Sequence, residues 1–432
     1  MKSTANPGDL VEVHLTKTIY EGILLESPKT GIFLLKLGTG YNIGFNKKDI
    51  LEIKVLKKAS LKIEKLEIKK SSEKPKIAMI ITGGTIASKY DSRTGGVHPL
   101  TNPEELFKFY PEIFEIANVS KVEVPFMKAS EDMDYKDWQK IAKVAEKNLN
   151  DQNIKGIIIT HGTDTLHYTS AALNFFLGKV NKPIVLTYSQ RSVDRASSDA
   201  NLNLKCAALM AISDAAEVML VGHATENDNF CYAMPGTKVR KMHSSRRDAF
   251  KVVNAKSFAK IYSAPLGVPP NTESGGNRIE ILRDYNRRNN KKVKLDLKFE
   301  EKVALVKFYP GQSPDILNYY LKNKYKGIII EATGLGHVAT GESKNSWIKK
   351  LKEIINKGIV VCAASQTIYG RLNPLVYSTG RELIKTGVIY LEDMLSETAL
   401  VKLGWVLGHK EWNVKEKMLE NISDELNDRL EK

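Results

Sequence analysis

The chain has 432 residues, enough for two or three domains. Its composition, 42% hydrophobic and 27% charged residues, is that of a globular protein. The formal net charge of +15 is compatible with a nucleic-acid or acidic partner. No apolar run reaches the roughly 18 residues of a membrane span, and the N-terminus lacks the apolar core of a signal peptide, so we expect a cytoplasmic protein without membrane contact. Three isolated cysteines (Cys206, Cys231 and Cys362) indicate neither a disulfide framework nor a structural zinc site.

The first elements in chain order are five short strands within residues 9–56. They are "LVEVHL", "YEGILLES", "GIFLLKL", "YNIGF" and "ILEIKVL", separated by turn signals such as "ESPKTG" and "LGTG". Because closure removes free sheet edges, this pattern predicts a small closed or half-closed β-barrel. We assign it to a basic module over residues 1–72, which ends in a Lys/Glu-rich connector.

From Pro75 onward the pattern changes to alternating strands and helices. Strand-like "KIAMIIT", "GIIIT" and "KPIVLT" alternate with helical segments such as "DYKDWQKIAKVAEKNL" and "NLNLKCAALMAI". This alternation predicts an α/β domain with a mostly parallel sheet over residues 73–282.

The chain then repeats this architecture after a charged segment. Residues 283–302 are poor in bulky apolar side chains and are predicted to be a linker. "VALVKFYPG", "GIIIEATGLG" and "GIVVCAAS" predict a second parallel-sheet domain over 303–410. Residues 411–432 are predicted to form an amphipathic helix, whose apolar face we expect to pack on the protein itself rather than on a partner; its members are Met418, Ile422, Leu426 and Leu430.

Two strands end in similar polar turns. "IIT" leads to Gly83, Gly84 and Thr85, and "IIIT" leads to "HGTD", which contains Thr163 and Asp164. Ligands of parallel sheets bind at the carboxyl ends of strands, and glycine lets backbone N–H groups approach a ligand, as an oxyanion hole requires. A phosphate-binding P-loop is excluded because no lysine follows at the required spacing, whereas plain turn glycines remain the alternative.

A threonine hydroxyl needs an activating group within hydrogen-bond reach. Lys241, in "KVRKMHSSRRDAF", is a candidate. A lysine acts as a simple base only when burial or cationic neighbours lower its pKa, and a carboxylate partner works against that. If Lys241 and Asp164 meet, we therefore expect them to relay protons and orient Thr163; alternatively, Lys241 is a surface charge.

Five segments together resemble the L-asparaginase/glutaminase family. They are "TGGTIAS" (82–88), "HGTDTLHYTSAAL" (161–173), "SQRSVDRASSDANLNL" (189–204), "KVRKMHSSRRDAF" (238–250) and "STGRELIKTGVI" with the following "DMLSETALVKLGWVLG" (378–408). With a basic β module in front, the combination is most similar to the D-type subunits of archaeal glutamyl-tRNA(Gln) amidotransferases. The resemblance implies an asparaginase-like two-domain parallel-sheet core behind the small β-barrel domain.

The resemblance also implies roles for residues. Thr85 is the implied primary nucleophile and Thr163 the second threonine, with Asp164 beside it and Lys241 completing a proton relay. Ser130 and Glu131, in "KASEDM", correspond to the segment that holds the α-amino and α-carboxylate groups of the substrate, and Asp164 also binds the α-ammonium. For Ser130 a helix N-cap is the alternative.

Two departures from the family pattern concern tyrosines. Ser92 stands where the family has a tyrosine hydroxyl on a mobile loop, so Tyr90 is the candidate replacement. Tyr188 and Ser189 stand where small residues are usual, and we expect them to narrow the substrate pocket.

The implied function is the glutaminase half-reaction of a ligase that forms carbon–nitrogen bonds with glutamine as nitrogen donor. Ammonia passes to the E-type subunit of the amidotransferase, which uses ATP and Mg²⁺ to convert misacylated Glu-tRNA(Gln) to Gln-tRNA(Gln). This chain is expected to bind no metal or cofactor itself, and to form a homodimer within a D2E2 heterotetramer. The alternatives are a free-standing cytosolic L-asparaginase and a catalytically idle nucleic-acid-binding protein whose barrel is the functional part.

Overall fold

The computed structural model describes residues 5–25, 27, 30–37, 42–58, 74–90, 96–99, 107, 110–192, 197–263 and 276–429. Within these ranges the chain forms a small antiparallel sheet followed by two α/β units, and the three cysteines are free and buried. The described part contains no helix that is both long and apolar enough to cross a membrane.

The N-terminal module is an antiparallel sheet in the order β4-β3-β2-β1-β5. Its strands are β1 (Leu10–Leu15), β2 (Ile19–Leu25), β3 (Ile32–Leu37), β4 (Asn42–Asn46) and β5 (Ile50–Lys57). Alternating residues such as Val11, Val13 and Leu35 are fully buried, which gives the module its own core. The predicted strands are present, but no pairing in the described residues joins β4 to β5, so closure of the barrel stays a prediction.

The first α/β unit is built on a sheet whose described strands have the order β17-β16-β13-β12-β11-β10-β6-β9. In chain order the strands of this unit are β6 (Lys76–Ile81), β7 (Ser88–Tyr90), β8 (Val97–Pro99), β9 (Asn118–Glu123), β10 (Ile157–Thr160), β11 (Ile184–Thr187), β12 (Val218–His223), β13 (Cys231–Pro235), β14 (Val239–Lys241), β15 (Phe250–Val252), β16 (Ala259–Tyr262) and β17 (Arg278–Ile281). Its helices are α1 (Ile113–Ile116), α2 (Tyr135–Leu149), α3 (Leu166–Leu177) and α4 (Ala200–Ile212).

Strands β9, β6, β10, β11 and β12 run parallel, which confirms the predicted parallel arrangement. Their near-continuous apolar runs follow from burial on both faces, since helices cover each side of the sheet. Helix α2 begins at a capping box in which the Asp134 and Asp137 side chains accept each other's backbone N–H groups.

Residues 283–302 form an ordered strap between the two α/β units. The strap has no helix, but its backbone is bonded to both units, since Asp296 N donates to Phe176 O at 2.8 Å and Glu300 N donates to Gly404 O at 2.8 Å. The buried side chain of Val293 anchors it to the first unit. The predicted linker segment is therefore held against the protein along its length.

The second unit is a parallel sheet in the order β18-β19-β20-β21 within the described residues. Its strands are β18 (Val303–Lys307), β19 (Gly327–Ala332), β20 (Val360–Ser365) and β21 (Ile389–Tyr390). Its helices, including those that follow the sheet, are α5 (Ile316–Lys322), α6 (Ile348–Asn356), α7 (Ser378–Ile384), α8 (Ser396–Leu407) and α9 (Val414–Leu419).

The predicted C-terminal helix over residues 411–432 is wrong, because α9 ends at Leu419. The physical reason is the fully buried ammonium group of Lys402, which needs acceptors from this segment. It donates to Met418 O at 3.1 Å, to Glu420 O at 2.5 Å and to Glu425 Oε1 at 2.6 Å. The chain leaves the helix to surround this cation, yet Met418 and Leu426 are buried on the protein itself, as expected; Leu430 lies outside the described residues.

Candidate active site

The two glycine-containing turns emerge side by side from neighbouring strands. Strands β6 and β10 pair in parallel register, with Ile81 opposite Thr160, so the residues that follow lie at the same edge of the sheet. Thr82 N donates to Thr160 O at 3.2 Å and continues the pairing one residue further. Parallel pairing therefore places Thr85 and Thr163 at the same edge of the sheet, although they are distant in sequence.

Glycine is required in the first turn for two physical reasons. Gly83 and Gly84 have φ angles of +121° and +80°, which residues with a side chain rarely adopt. A Cβ atom on Gly84 would also lie 2.4 Å from Gly162 N, because the two turns pack backbone against backbone. The short 3₁₀ helix Thr85–Ala87 begins directly after this contact and leaves Thr85 partly exposed.

The four threonines of the two turns divide into two groups. Thr82 and Thr160 are fully buried, and Thr82 Oγ1 donates to Thr160 O at 2.8 Å, so this hydroxyl stabilises the strand ends. Thr85 and Thr163 are partly exposed, which leaves them accessible to a ligand.

Lys241 lies at the centre of the polar cluster at Thr163. It ends β14, which pairs with β15 so that Lys241 lies opposite Phe250. Its Nζ donates to Thr163 Oγ1 at 2.8 Å and to Asp164 Oδ1 at 2.6 Å. The side chain of Lys241 is 10% exposed and that of Asp164 is 63% exposed, so the cluster is enclosed on the lysine side and open on the carboxylate side.

Ser130 lies beside the second turn, whereas Glu131 is exposed. Ser130 is 3% exposed, and its carbonyl oxygen accepts a 2.7 Å hydrogen bond from Thr165 Oγ1. A Cβ atom on Gly162 would lie 3.0 Å from Ser130 Oγ, which places this hydroxyl against the Thr163 turn. The N-cap alternative for Ser130 is wrong, because Asp134 caps the following helix.

His161 has a structural role that the sequence analysis missed. Its Nδ1 is 2.7 Å from Gly162 O, which can only accept, so Nδ1 carries the proton and Nε2 accepts from the Thr169 hydroxyl at 2.8 Å. Complete burial lowers the pKa of His161 to about 4, so the ring is neutral near pH 7. The position of a histidine directly after a strand end was the sequence signal for such a role. Its partner, Thr169, lies about one turn after the start of α3.

The second α/β unit supports the strand that carries Lys241. Lys238 Nζ donates to Asp393 Oδ2 at 2.6 Å, and both side chains are fully buried. Arg240 Nε lies 2.9 Å from Glu397 Oε1, at the start of α8. Sequence alone gave no signal for these pairs, which span about 155 residues in each case.

The two tyrosine expectations have different outcomes. Tyr90 ends β7, but its side chain lies outside the described part of the structure, as does all of Ser92. The expected narrowing of the pocket by Tyr188 is wrong, because Tyr188 and Ser189 are fully buried. The Tyr188 ring packs where Gly222 leaves room, and its hydroxyl donates to Arg247 O at 2.9 Å.

The chemistry that these groups offer is nucleophilic attack with proton transfer. Two accessible hydroxyls, an ammonium group and a carboxylate lie at one sheet edge. Among the described residues, no group of three or more His, Cys, Asp or Glu side chains is placed to hold a metal ion.

Three family models match consecutive parts of the chain. Residues 5–56 match the GatD N-terminal domain, residues 76–271 match the N-terminal domain of asparaginase, and residues 302–418 match the glutaminase/asparaginase C-terminal domain. The two asparaginase models cover the two α/β units, and the first of them includes all four residues of the predicted catalytic set.

Curated relatives match along almost the whole chain. The D-type subunit of glutamyl-tRNA(Gln) amidotransferase from Pyrococcus furiosus is 48% identical over 95% of this chain and 91% of its own length. The protein of the same name from Sulfolobus acidocaldarius is 40% identical over 99% of this chain and 93% of its own length.

Solved asparaginase structures match most of the chain. The thermostable L-asparaginase from Thermococcus kodakarensis superimposes with a TM-score of 0.69 at 27% identity and covers 82% of this chain and 100% of its own. L-asparaginase I from Vibrio cholerae gives a TM-score of 0.67 at 25% identity, covering 82% of this chain and 99% of its own. These matches confirm the predicted asparaginase-like fold.

Proposed function

Because the chain belongs to the asparaginase/glutaminase family, and within it to the D-type subunits of glutamyl-tRNA(Gln) amidotransferases, we propose that it is the glutaminase component of a tRNA-dependent amidotransferase. It hydrolyses glutamine and supplies the ammonia with which the complex converts Glu-tRNA(Gln) to Gln-tRNA(Gln). The observation that carries the site assignment is the hydrogen bonding of Lys241 to both Thr163 and Asp164.

The reaction begins at Thr85. Its Oγ forms a bond to the side-chain amide carbon of glutamine, and the hydroxyl proton passes through the Thr163–Lys241 pair. The tetrahedral intermediate then breaks its C–N bond, and the relayed proton goes to the leaving nitrogen, which departs as ammonia. Water attacks the resulting threonine ester and releases glutamate, which restores the Thr85 hydroxyl.

To bind a free amino acid, the site needs groups that pair with the substrate's positive α-ammonium and its negative α-carboxylate. Asp164 is exposed towards the open side of the cluster and pairs with the α-ammonium group of glutamine. Ser130, beside the Thr163 turn, and the adjacent, exposed Glu131 complete the contacts to the α-amino and α-carboxylate groups. Tyr90, at the end of β7, is the candidate for the hydroxyl that the family carries after the first turn.

A free-standing L-asparaginase is less well supported. The two asparaginase structures cover 82% of this chain, and the N-terminal sheet has a family model of its own over residues 5–56. Relatives that align over nearly the full chain are amidotransferase subunits. We infer that the basic N-terminal module serves assembly or tRNA positioning rather than amide chemistry.

The chain acts within a heteromeric complex, and we propose the E-type subunit as its partner in a cytoplasmic D2E2 assembly. ATP and Mg²⁺ are then bound by this partner, where the glutamate of Glu-tRNA(Gln) is activated. A homodimer of this chain is supported by apolar side chains after β20 in the second unit, each more than half exposed: Tyr369, Leu375, Val376 and Tyr377.

The decisive experiment compares two nitrogen donors in the assembled complex. Thr85→Ala should abolish glutamine-dependent amidation, since loss of a covalent nucleophile costs roughly three to six orders of magnitude in rate. Amidation from added ammonium should persist near its normal rate. Thr340→Ala, which alters a partly exposed threonine of the second unit, is the matched control and should leave both rates unchanged.

Each other outcome has a definite meaning. Retained glutamine-dependent amidation in Thr85→Ala would show that Thr85 is not the nucleophile. Loss of ammonium-dependent amidation in an intact complex would show that this chain does more than release ammonia. A wild-type preference for free asparagine, without any tRNA-dependent amidation, would favour the asparaginase alternative.

A further inference from the structure

A basic cavity lies at the edge of the large sheet opposite to the active site. Its volume is about 610 Å³, and it is lined by residues before β10 and β11 and by the strap. Lys155 precedes β10, Lys182 precedes β11, and Arg288 and Lys292 belong to the strap. Thr85 and Thr163 follow the carboxyl ends of β6 and β10, so the cavity is separate from the catalytic groups.

The cavity carries positive charge that no carboxylate of its described lining neutralises. That lining contains no acidic residue, and none of its four cations forms an ion pair within the described ranges. The nearby carboxylates form their ion pairs with other cations, Asp151 with Lys121 at 2.7 Å and Asp214 with Arg287, and they reach Lys182 and Arg288 only as charges at longer range. An unneutralised cluster of this kind in a concave site attracts an anion.

Two of the cations are held in place by backbone oxygens. Lys182 is 9% exposed, and its Nζ donates to Asp151 O at 2.6 Å, which uses one of its three N–H groups. The guanidinium of Arg288 donates to the carbonyl oxygens of Lys155 and Ser213. Burial, followed by the charge of Arg288, lowers the pKa of Lys182 although the Asp151 carboxylate raises it, and a bound anion would offset the repulsion from Arg288.

Asn181 adds a neutral acceptor to the same cavity. Its residue is 5% exposed, and its Nδ2 donates to Lys291 O at 2.8 Å. Its Oδ1 is buried and has no hydrogen-bond partner in the described part of the chain. A buried oxygen of this kind is costly unless a donor such as a hydroxyl group reaches it.

We propose that this cavity binds a ribose phosphate, with the phosphate on the lysines and Arg288 and a ribose hydroxyl on Asn181. The phosphate belongs to the backbone of tRNA, a step that rests on the proposed function, or to a free nucleotide, which presents the same chemistry. Phosphate recognition by lysine and arginine needs no defined base sequence, which suits a contact far from the reacting end of a tRNA.

The test neutralises the two exposed lysines, which leaves the buried framework intact. The variant is Lys155→Gln/Lys292→Gln, and the matched control is Lys349→Gln/Lys352→Gln on α6, with the same loss of charge at exposed positions. Pyrophosphate binding to the full chain is measured by calorimetry. Binding of a tRNA(Gln) transcript to the assembled complex is measured over a range of salt concentrations, and glutamine hydrolysis is measured alongside.

We expect the first variant to weaken pyrophosphate binding about tenfold or more and the control to match the wild type. The slope of log K for tRNA against log salt should fall by about 1 to 2, because each lost phosphate contact removes roughly 0.9. Weaker pyrophosphate binding with an unchanged tRNA slope would identify a free nucleotide as the ligand. Wild-type protein that binds no pyrophosphate, or a variant equal to its control in both assays, would overturn the proposal. Glutamine hydrolysis should be unchanged throughout, which separates this result from a failure of the glutaminase assignment.

Discussion

Lys241 Nζ and Thr163 Oγ1 lie 2.8 Å apart although 78 positions separate the two residues in the chain. The same ammonium group is 2.6 Å from Asp164 Oδ1. A hydroxyl that receives a hydrogen bond from a lysine beside a carboxylate is oriented and ready to exchange a proton. This contact is the basis of the relay that we propose for the activation of Thr85.

Replacing Lys241 tests whether it moves a proton or only supplies charge. Lys241→Met should lower kcat for glutamine hydrolysis by roughly 10²- to 10⁴-fold, the usual contribution of general acid–base groups. Lys241→Arg should be similarly impaired, because arginine keeps the charge but does not release a proton. Lys260→Met, on β16, is the control and should be active. Near-normal activity of the arginine variant would reduce the role of Lys241 to electrostatics.

The contact between the two turns predicts a specific effect of adding one methyl group. Gly84→Ala should abolish most glutaminase activity and destabilise the protein, since its Cβ would lie 2.4 Å from Gly162 N. Gly358→Ala is the matched control, because Gly358 has a similar φ of +91° but open space around it. The control should cost only the backbone strain, about 1 kcal/mol, and keep full activity. Urea unfolding and a glutaminase assay measure both effects, and equal losses in the two variants would contradict the packing explanation.

The buried pair of Lys238 and Asp393 predicts a large loss of stability when one partner is removed. Asp393→Asn should lower the free energy of unfolding by about 3 kcal/mol or more, because it leaves a buried ammonium group without its counter-charge. Glu411→Gln, in the exposed pair with Lys298, should cost far less, because solvent screens that pair. The double variant Lys238→Met/Asp393→Leu should be more stable than Asp393→Asn. A double variant no better than the single one would show that the surrounding hydrogen bonds, not the charge, dominate.

Two buried histidines predict how stability depends on pH. Burial lowers the pKa of His161 to about 4, and burial, followed by the charge of Arg240, lowers the pKa of His167 to about 3. Below about pH 6.5 the unfolded chain therefore binds protons that the folded chain excludes, so the free energy of unfolding falls as the pH falls. Each histidine contributes up to about 1.4 kcal/mol per pH unit down to its folded pKa.

The measurement for the histidines is urea unfolding between about pH 4.5 and 7.5, the range over which the unfolded imidazole titrates. His161→Asn keeps an N–H donor for Gly162 O and should show a shallower loss of stability as the pH falls through this range. A variant with the same slope as the wild type would assign the pH dependence to other groups.

Much of the architecture follows directly from local sequence. The apolar runs at β6, β10 and β11 form strands of a sheet that is buried on both faces. The glycines after β6 occupy positions where the φ angles are positive. The C-terminal segment was mispredicted because apolar spacing at Met418, Ile422 and Leu426 fits a helix locally. The buried charge that reshapes it, Lys402, lies elsewhere in the chain.

The order of the modules and the parallel core follow from local sequence, because periodicity and turn chemistry are local properties, whereas the proposed roles of the reactive side chains come from the family resemblance. Tertiary structure decides which of those side chains meet. Parallel pairing of β6 with β10 brings the two threonine turns together, and the β14–β15 hairpin places Lys241 against Thr163. The contact of Lys238 with Asp393 and the cluster of cations around Lys182 depend on how segments distant in sequence pack together. No local sequence pattern encodes which distant segments will meet.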